Sequence, residues 1–261
     1  MVKGLFSPDT VTWKIHSDPS MVVGGIRALL EQALHPVAMD GVAKNSNFRE
    51  DAWGRLQRTG EYVSTITFGT SSEAQALAER VRKIHFKLGL DDPHLLLWVH
   101  MAMVDSFVDC AVRSGLGISD GEQDQYVSEM VLFANQVGIE SINVPTNVRE
   151  MKQYFIDIAP ELSASDDAKK AALFLALPPM PNIVRFATPA TPMWATLSSL
   201  AALSLPPWAR KLYGWPTLPG QGIATDIALK TSRASLLFLP KNLMEPPLLK
   251  QARERWGLVA Q

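Results

Sequence analysis

A single cysteine, Cys110, stands in a chain of 261 residues. No internal disulfide can form, and metal sites built on paired cysteines are excluded. That scarcity agrees with a reducing compartment, and the cytoplasm is the expected location. An excess of either charge is also missing. The 25 Lys and Arg against 26 Asp and Glu leave a net charge of −1, so electrostatics gives no reason to expect nucleic acid. Long apolar runs are scarce. The first residues lack the apolar core of a signal peptide. No run of about 18 uncharged apolar residues is present, so a transmembrane segment is not expected. The nearest, residues 188–208, is interrupted by Pro189, Pro192, Pro206 and Pro207. It reads as a buried irregular helix, with peripheral contact to a membrane surface as the alternative. The patterns HExxH, GxSxG, GxxxxGK[ST] and GxGxxG do not occur, which removes the anchors of zinc-protease, serine-hydrolase, P-loop and Rossmann chemistry. Strand alternation, internal repeats and low-complexity tracts are not found.

What is present is apolar and helical in period. Hydrophobic residues make up 47% and charged residues 20%, enough for a globular chain with a sizeable core. The expected fold is all-α: one large helical domain over residues 1–261, with a Pro- and Trp-rich C-terminal part of short helices from Pro178 onward. Residues 1–17 read as an irregular lead-in. A helix is expected from about Pro19 to Leu34, ended by Pro36. Residues 36–47 carry no clear period, and the next helix is expected from Arg49 to Phe68. Thr70–Glu73 and Ser119–Glu122 read as capping boxes opening two helices, which Gly89 and Gly138 close. Asp92 and Pro93 read as the N-cap and first residue of a helix ending at Gly115. Two more are expected over 147–158 and 165–177.

The groups able to do chemistry gather between Trp53 and His100. His85 shares a helix face with Val81 and Ile84, where a histidine is either a core residue bonded to a carbonyl or a ligand. Arg82 lies on a neighbouring part of that face. Arg55, Arg58 and Thr59 fall at i, i+3 and i+4. They are either solvated charges or, pointing inward, groups that require an anionic or polar partner. His100 faces inward between Leu96 and Met103. His35, beside Pro36, either caps carbonyls or reaches a pocket. His94 is expected to be exposed, and His16 lies in the lead-in.

The order Gly24-Gly25-Ile26-Arg27, Leu34-His35-Pro36, Arg55-x-x-Arg58-Thr59, Arg82-x-x-His85, then Asp92-Pro93 through Trp98-Val99-His100 resembles the family of MpaB-type oxygenases and latex-clearing rubber oxygenases. The later Asp124-Gln-Tyr126, Gly138, Pro145-Thr146 and Tyr154 fit as well, so the resemblance spans roughly residues 20–180. It implies an all-helical fold around haem b. It implies His85 as the iron ligand, with Arg55, Arg58 and Thr59 as the distal, catalytic group. Arg82, His35 and His100 are the further candidates for contact with the cofactor. It implies dioxygen as co-substrate and a lipophilic, isoprenoid or terpenoid, substrate cleaved oxidatively at a C=C bond. The alternative is a haem-binding sensor or carrier without turnover. The chain departs from the family at Arg58, where rubber oxygenases have lysine. Arginine does not give up its proton, so a lysine-type bond to iron is excluded there. The Leu88-Gly89-Leu90-Asp91 connection is also shorter than in many members.

Overall fold

The computed structural model describes residues 4–45, 52–176, 190–240 and 245–258. Among them the chain forms thirteen α-helices and no strand, the all-α fold expected. In order these are α1 (Val11–His16), α2 (Met21–Gln32), α3 (Pro36–Asn45), α4 (Ala52–Phe68), α5 (Ser71–Leu88), α6 (Pro93–Arg113) and α7 (Asp120–Val137). They are followed by α8 (Val148–Ile158), α9 (Asp166–Ala176), α10 (Ala190–Ser204), α11 (Pro207–Tyr213), α12 (Gln221–Leu237) and α13 (Pro247–Arg255). The expected helix start at Arg49, the end at Leu177 and the stretch 178–189 lie outside the described residues.

Local signals fix most boundaries. Thr70 and Ser119 each accept from the backbone of the glutamate three residues on, and each glutamate returns a bond to the cap nitrogen. Both boxes therefore satisfy donors that the first turn leaves orphaned. Asp92 accepts from His94 N, with Pro93 as first residue of α6. Gly89 ends α5 at φ 64°, a left-handed conformation that any Cβ would strain.

The centre of the fold is α6 packed along α2. Gly24 allows the approach, since a Cβ there would lie 3.2 Å from the ring of Phe107. The pair is locked by a buried ion network. Arg27 on α2, only 2% exposed, donates to Asp105 at 2.7 Å, Ser106 at 2.7 Å and Glu31 at 3.1 Å. Burial opposes its charge, but Asp105, Glu31 and Asp109 outweigh that and hold its pKa above the ordinary value. Trp98 Nε1 donates to Gln32 O at 2.9 Å, and Gln32 returns a bond to Val99 O at 2.9 Å. Two apolar clusters meet on these helices. One holds Met101, Phe107, Tyr126, Met130 and Phe133, and the other holds Ile26, Leu34, Trp98, Leu200 and Leu205.

Length and composition alone would let α6 cross a membrane, but 61% of that apolar window is buried inside the protein. It is the helix closest to a span among those described, rather than residues 188–208. Within that stretch α10 is a regular helix, not an irregular one. It buries Leu197, Leu200 and Ala201 and packs on α2.

Three further expectations are corrected. The lead-in contains α1. Six residues are too few to hold a helix by propensity. Here the Glu129 carboxylate on α7 accepts from Val11 N and Thr12 N, while Trp13 and Ile15 are buried. Pro36 opens α3 as well as ending its predecessor, because the first helical position has no use for an N–H. The C-terminal part is not confined to short helices, since α12 has 17 residues. It is tied back by Tyr213, whose hydroxyl donates to Leu30 O at 2.7 Å, and by an Arg233–Asp18 pair at 2.8–3.0 Å.

Replacing Arg27 with leucine strands Glu31, Asp105 and Asp109 without their shared cation. Breaking a buried pair in this way costs about 3–5 kcal/mol. Urea unfolding should show a lower midpoint at unchanged slope, while Lys44→Ala, at an exposed position of α3, leaves the midpoint where it is.

Candidate active site

Six helices converge on a cavity of ≈ 430 Å³. From α4 come Arg58, Thr59, Tyr62 and Val63, at the spacing that puts them on one face. From α5 come Val81, Ile84, His85 and Leu88, and from α6 come Leu96, Val99, His100 and Met103. Phe133 and Val137 of α7, Leu29 and Gln32 of α2, and Gly41 and Val42 of α3 complete the wall together with Leu90. The lining is apolar apart from a few groups. Such a pocket fixes a ligand's orientation through those few and its affinity through the rest.

The polar groups on this wall include buried atoms without hydrogen-bond partners. His100 is 4% exposed, and neither ring nitrogen has one. Burial pushes its pKa down to about 3, so the ring is neutral at pH 7. His85 is half-buried and its Nδ1 has no partner. Burial lowers its pKa also, against a smaller opposite pull from Asp91. The Tyr62 hydroxyl is a third such group. Burial holds its pKa above the ordinary range, with Arg82 pulling the other way. Buried polar atoms of this kind call for a partner, whether a ligand or water.

From its spacing His85 shares a face of α5 with Val81 and Ile84, and that apolar stripe, followed from Ala74 to Leu88, divides. Ala74 and Ala78 are buried against the core, whereas Ile84 and Leu88 are 45% and 41% exposed and face the cavity. Arg58 and Thr59 share this cavity with His85 and His100. The side chain of Arg55 lies outside the described residues. Arg82 is not part of the lining. Its guanidinium donates to Gln136 O at 2.6 Å, fastening α5 to the C-terminal end of α7, where a cation is favoured. His35 does not reach the cavity either, but sits beside His94 and Glu161. His16 leaves the expected lead-in for the core, bonded to Thr67 at 2.7 Å and Tyr126 at 3.0 Å.

Sequence reasoning missed Tyr62. Its signal was its place four residues after Arg58 and three after Thr59. The reasoning also missed a second cavity of ≈ 320 Å³, lined by His16, Asp18, Met21, Phe68, Phe107 and Trp194 among others. The two cavities share Leu29, Gln32, Thr59, Val63 and Met103.

A helical bundle that brings imidazoles, a guanidinium and a hydroxyl into one apolar cavity has the makings of a ligand-binding enzyme. The family described as "ER-bound oxygenase mpaB/B'/Rubber oxygenase, catalytic domain" matches residues 13–234, and the chain belongs to it. Comparison with curated proteins and with solved structures gave no match. The family is one of oxygenases, so dioxygen and an oxidisable substrate belong with this fold.

Because His100 is neutral when folded and ordinary when unfolded, unfolding takes up a proton at low pH. Its contribution to stability is present above pH 6.5 and is lost as pH falls toward 3. Against His100→Leu, the wild type should lose up to about 1.4 kcal/mol per pH unit over that window. The difference between the two should be flat above it. Denaturant melts at a series of pH values check this.

Proposed function

We propose that the chain is a haem b-dependent oxygenase that cleaves a C=C bond of a lipophilic substrate of the isoprenoid or terpenoid class. One observation carries the reading: His85, His100, Arg58 and Thr59, from three helices, share one mostly apolar cavity. The residues fit the cofactor. A macrocycle requires apolar walls, an imidazole for its iron and a cation for its acidic edge, and each is present. The partnerless ring nitrogen of His85 and those of His100 are the further sign of fit.

When bound, haem supplies the iron that activates dioxygen. The chain supplies the rest. His85 would hold the haem iron, and burial, which lowers its pKa, favours the neutral imidazole that this role requires. Arg58 brings fixed positive charge; Arg55 is assigned to the same group on the family resemblance alone. Thr59 offers a hydroxyl donor at the junction of the two cavities. His100 is neutral at working pH and so holds one proton on one ring nitrogen, leaving the other as acceptor. We place the substrate in the second cavity, where Thr59, Val63 and Met103 border both spaces. The overall reaction balances without an added reductant: one dioxygen is consumed, and each of its atoms ends in one of two carbonyl products. A cytoplasmic location rests on the free, buried Cys110. The chain is read as one domain because both apolar clusters draw on α2 and α6.

Purified protein supplied with haem should show a stoichiometric Soret band that His85→Ala abolishes. If His85→Ala keeps full haem while His100→Ala loses it, the ligand is His100. Thr59→Val should keep the band yet lower turnover on the order of 100-fold, as loss of one positioned donor does. Turnover is read as labelled aldehyde or ketone formed from an alkene under ¹⁸O₂. A Soret band without product for any isoprenoid alkene is the outcome for a sensor or carrier.

A further inference from the structure

His35, His94 and Glu161 come from three places distant in sequence: the residue before α3, the first turn of α6 and the turn after α8. One nitrogen from each ring and one glutamate oxygen lie within 4.8 Å of one another. His94 Nε2 is 2.9 Å and His35 Nε2 3.4 Å from the same oxygen, Glu161 Oε2. The shorter contact is an ordinary hydrogen bond. The longer one is poor for a hydrogen bond. It is close to the spacing of about 3.3 Å between two ligands of one tetrahedral ion with bonds near 2.0–2.2 Å.

We propose that His35, His94 and Glu161 form a second metal site, separate from the haem cavity, for a divalent transition ion of the zinc type. Two imidazoles and one carboxylate are the donor set of zinc and non-haem iron sites, which keep further positions for water. Calcium and magnesium, which take oxygen ligands, are disfavoured by it. His35 is 3% exposed, one nitrogen faces Glu161, and the other is buried without a partner. Its burial fixes the ring in place, with Trp98 6.2 Å and His94 6.0 Å away between centroids. The other two donors are also held. Ser163 N donates to Leu34 O at 2.8 Å, tying the Glu161 turn to the His35 segment. Asp92 caps the turn that carries His94. His94 and Glu161 are about half exposed, which gives the ion an entry path.

The site lies at the ends of α3 and α6, and both helices contribute to the haem cavity's wall through Val42 and Val99. An ion there braces that wall from outside, without touching the cavity.

The test titrates chelator-stripped full-length protein with Zn²⁺ by calorimetry, and with Co²⁺ to read its visible bands. One equivalent should bind with micromolar or tighter affinity and raise the melting temperature. Cobalt should give the intense bands of a four- or five-coordinate ion. His94→Ala and Glu161→Gln, both at half-exposed positions, should each weaken binding more than about 100-fold, beyond the cost of losing an outer partner. His85→Ala should bind zinc as wild type does, so loss of haem and loss of this ion are read separately. Uptake that survives either His94→Ala or Glu161→Gln overturns the site. No saturable uptake at millimolar zinc overturns it too.

Discussion

The structure depends on Arg27. It is the cation between α2 and α6, and the carboxylates it neutralises come from both helices. Glu31 is fully buried, and burial pushes its pKa up. Without the guanidinium, an acid cluster would sit inside the main helix pair. The network costs desolvation, and its return is specificity of register more than raw stability. Register matters because the cavity is assembled from the next turns of the same helices. Leu29 and Gln32 lie two and five residues after Arg27, and Met103 lies two before Asp105. A slide of α2 along α6 by one turn would pull the cavity's floor apart.

The cavity's chemistry follows from where each helix stops being core. On α6 the side chains at 101, 102 and 104 are fully buried, while Val99 opens to the cavity. On α5 the change comes midway, between Ala78 and Ile84. Polar atoms appear at these transitions. His100 on α6 and the Tyr62 hydroxyl on α4 are buried without partners, whereas the similarly buried His16 has both nitrogens satisfied. That contrast separates a structural histidine from one available to a ligand. Burial and direction of the pKa shift do not, since His16 and His100 are both pushed down to about 3.

How much was legible in sequence tracks how local the cause is. Capping boxes at Thr70 and Ser119, the glycine stop at Gly89 and the Asp92-Pro93 start depend on neighbours within four residues, and the structure has all of them. Helix α1 depends on Glu129, more than a hundred residues away, and was invisible. Helix α3 buries only Met39 deeply, so its period was too faint to read. Motif order singled out Arg58, Thr59, His85 and His100, which line one cavity. Tyr62 and the second cavity were not singled out, because a void belongs to no single segment. His35 was misplaced for a related reason. Its position before Pro36 said only that it ends a helix, and the turn after α8 that it meets is fixed by tertiary contact.

The split stripe of α5 carries a consequence for the energetics of the whole protein. Its C-terminal turns hold Ile84, Phe86 and Leu88 largely away from the core, so native packing does little to secure them. This is the segment that presents His85. Whatever fills the cavity covers Ile84 and Leu88, and favours the folded chain by an amount that grows with ligand concentration over its dissociation constant. Loading and folding are thermodynamically linked through this one helix end. A ligand held in the cavity therefore raises this helix end's resistance to local unfolding.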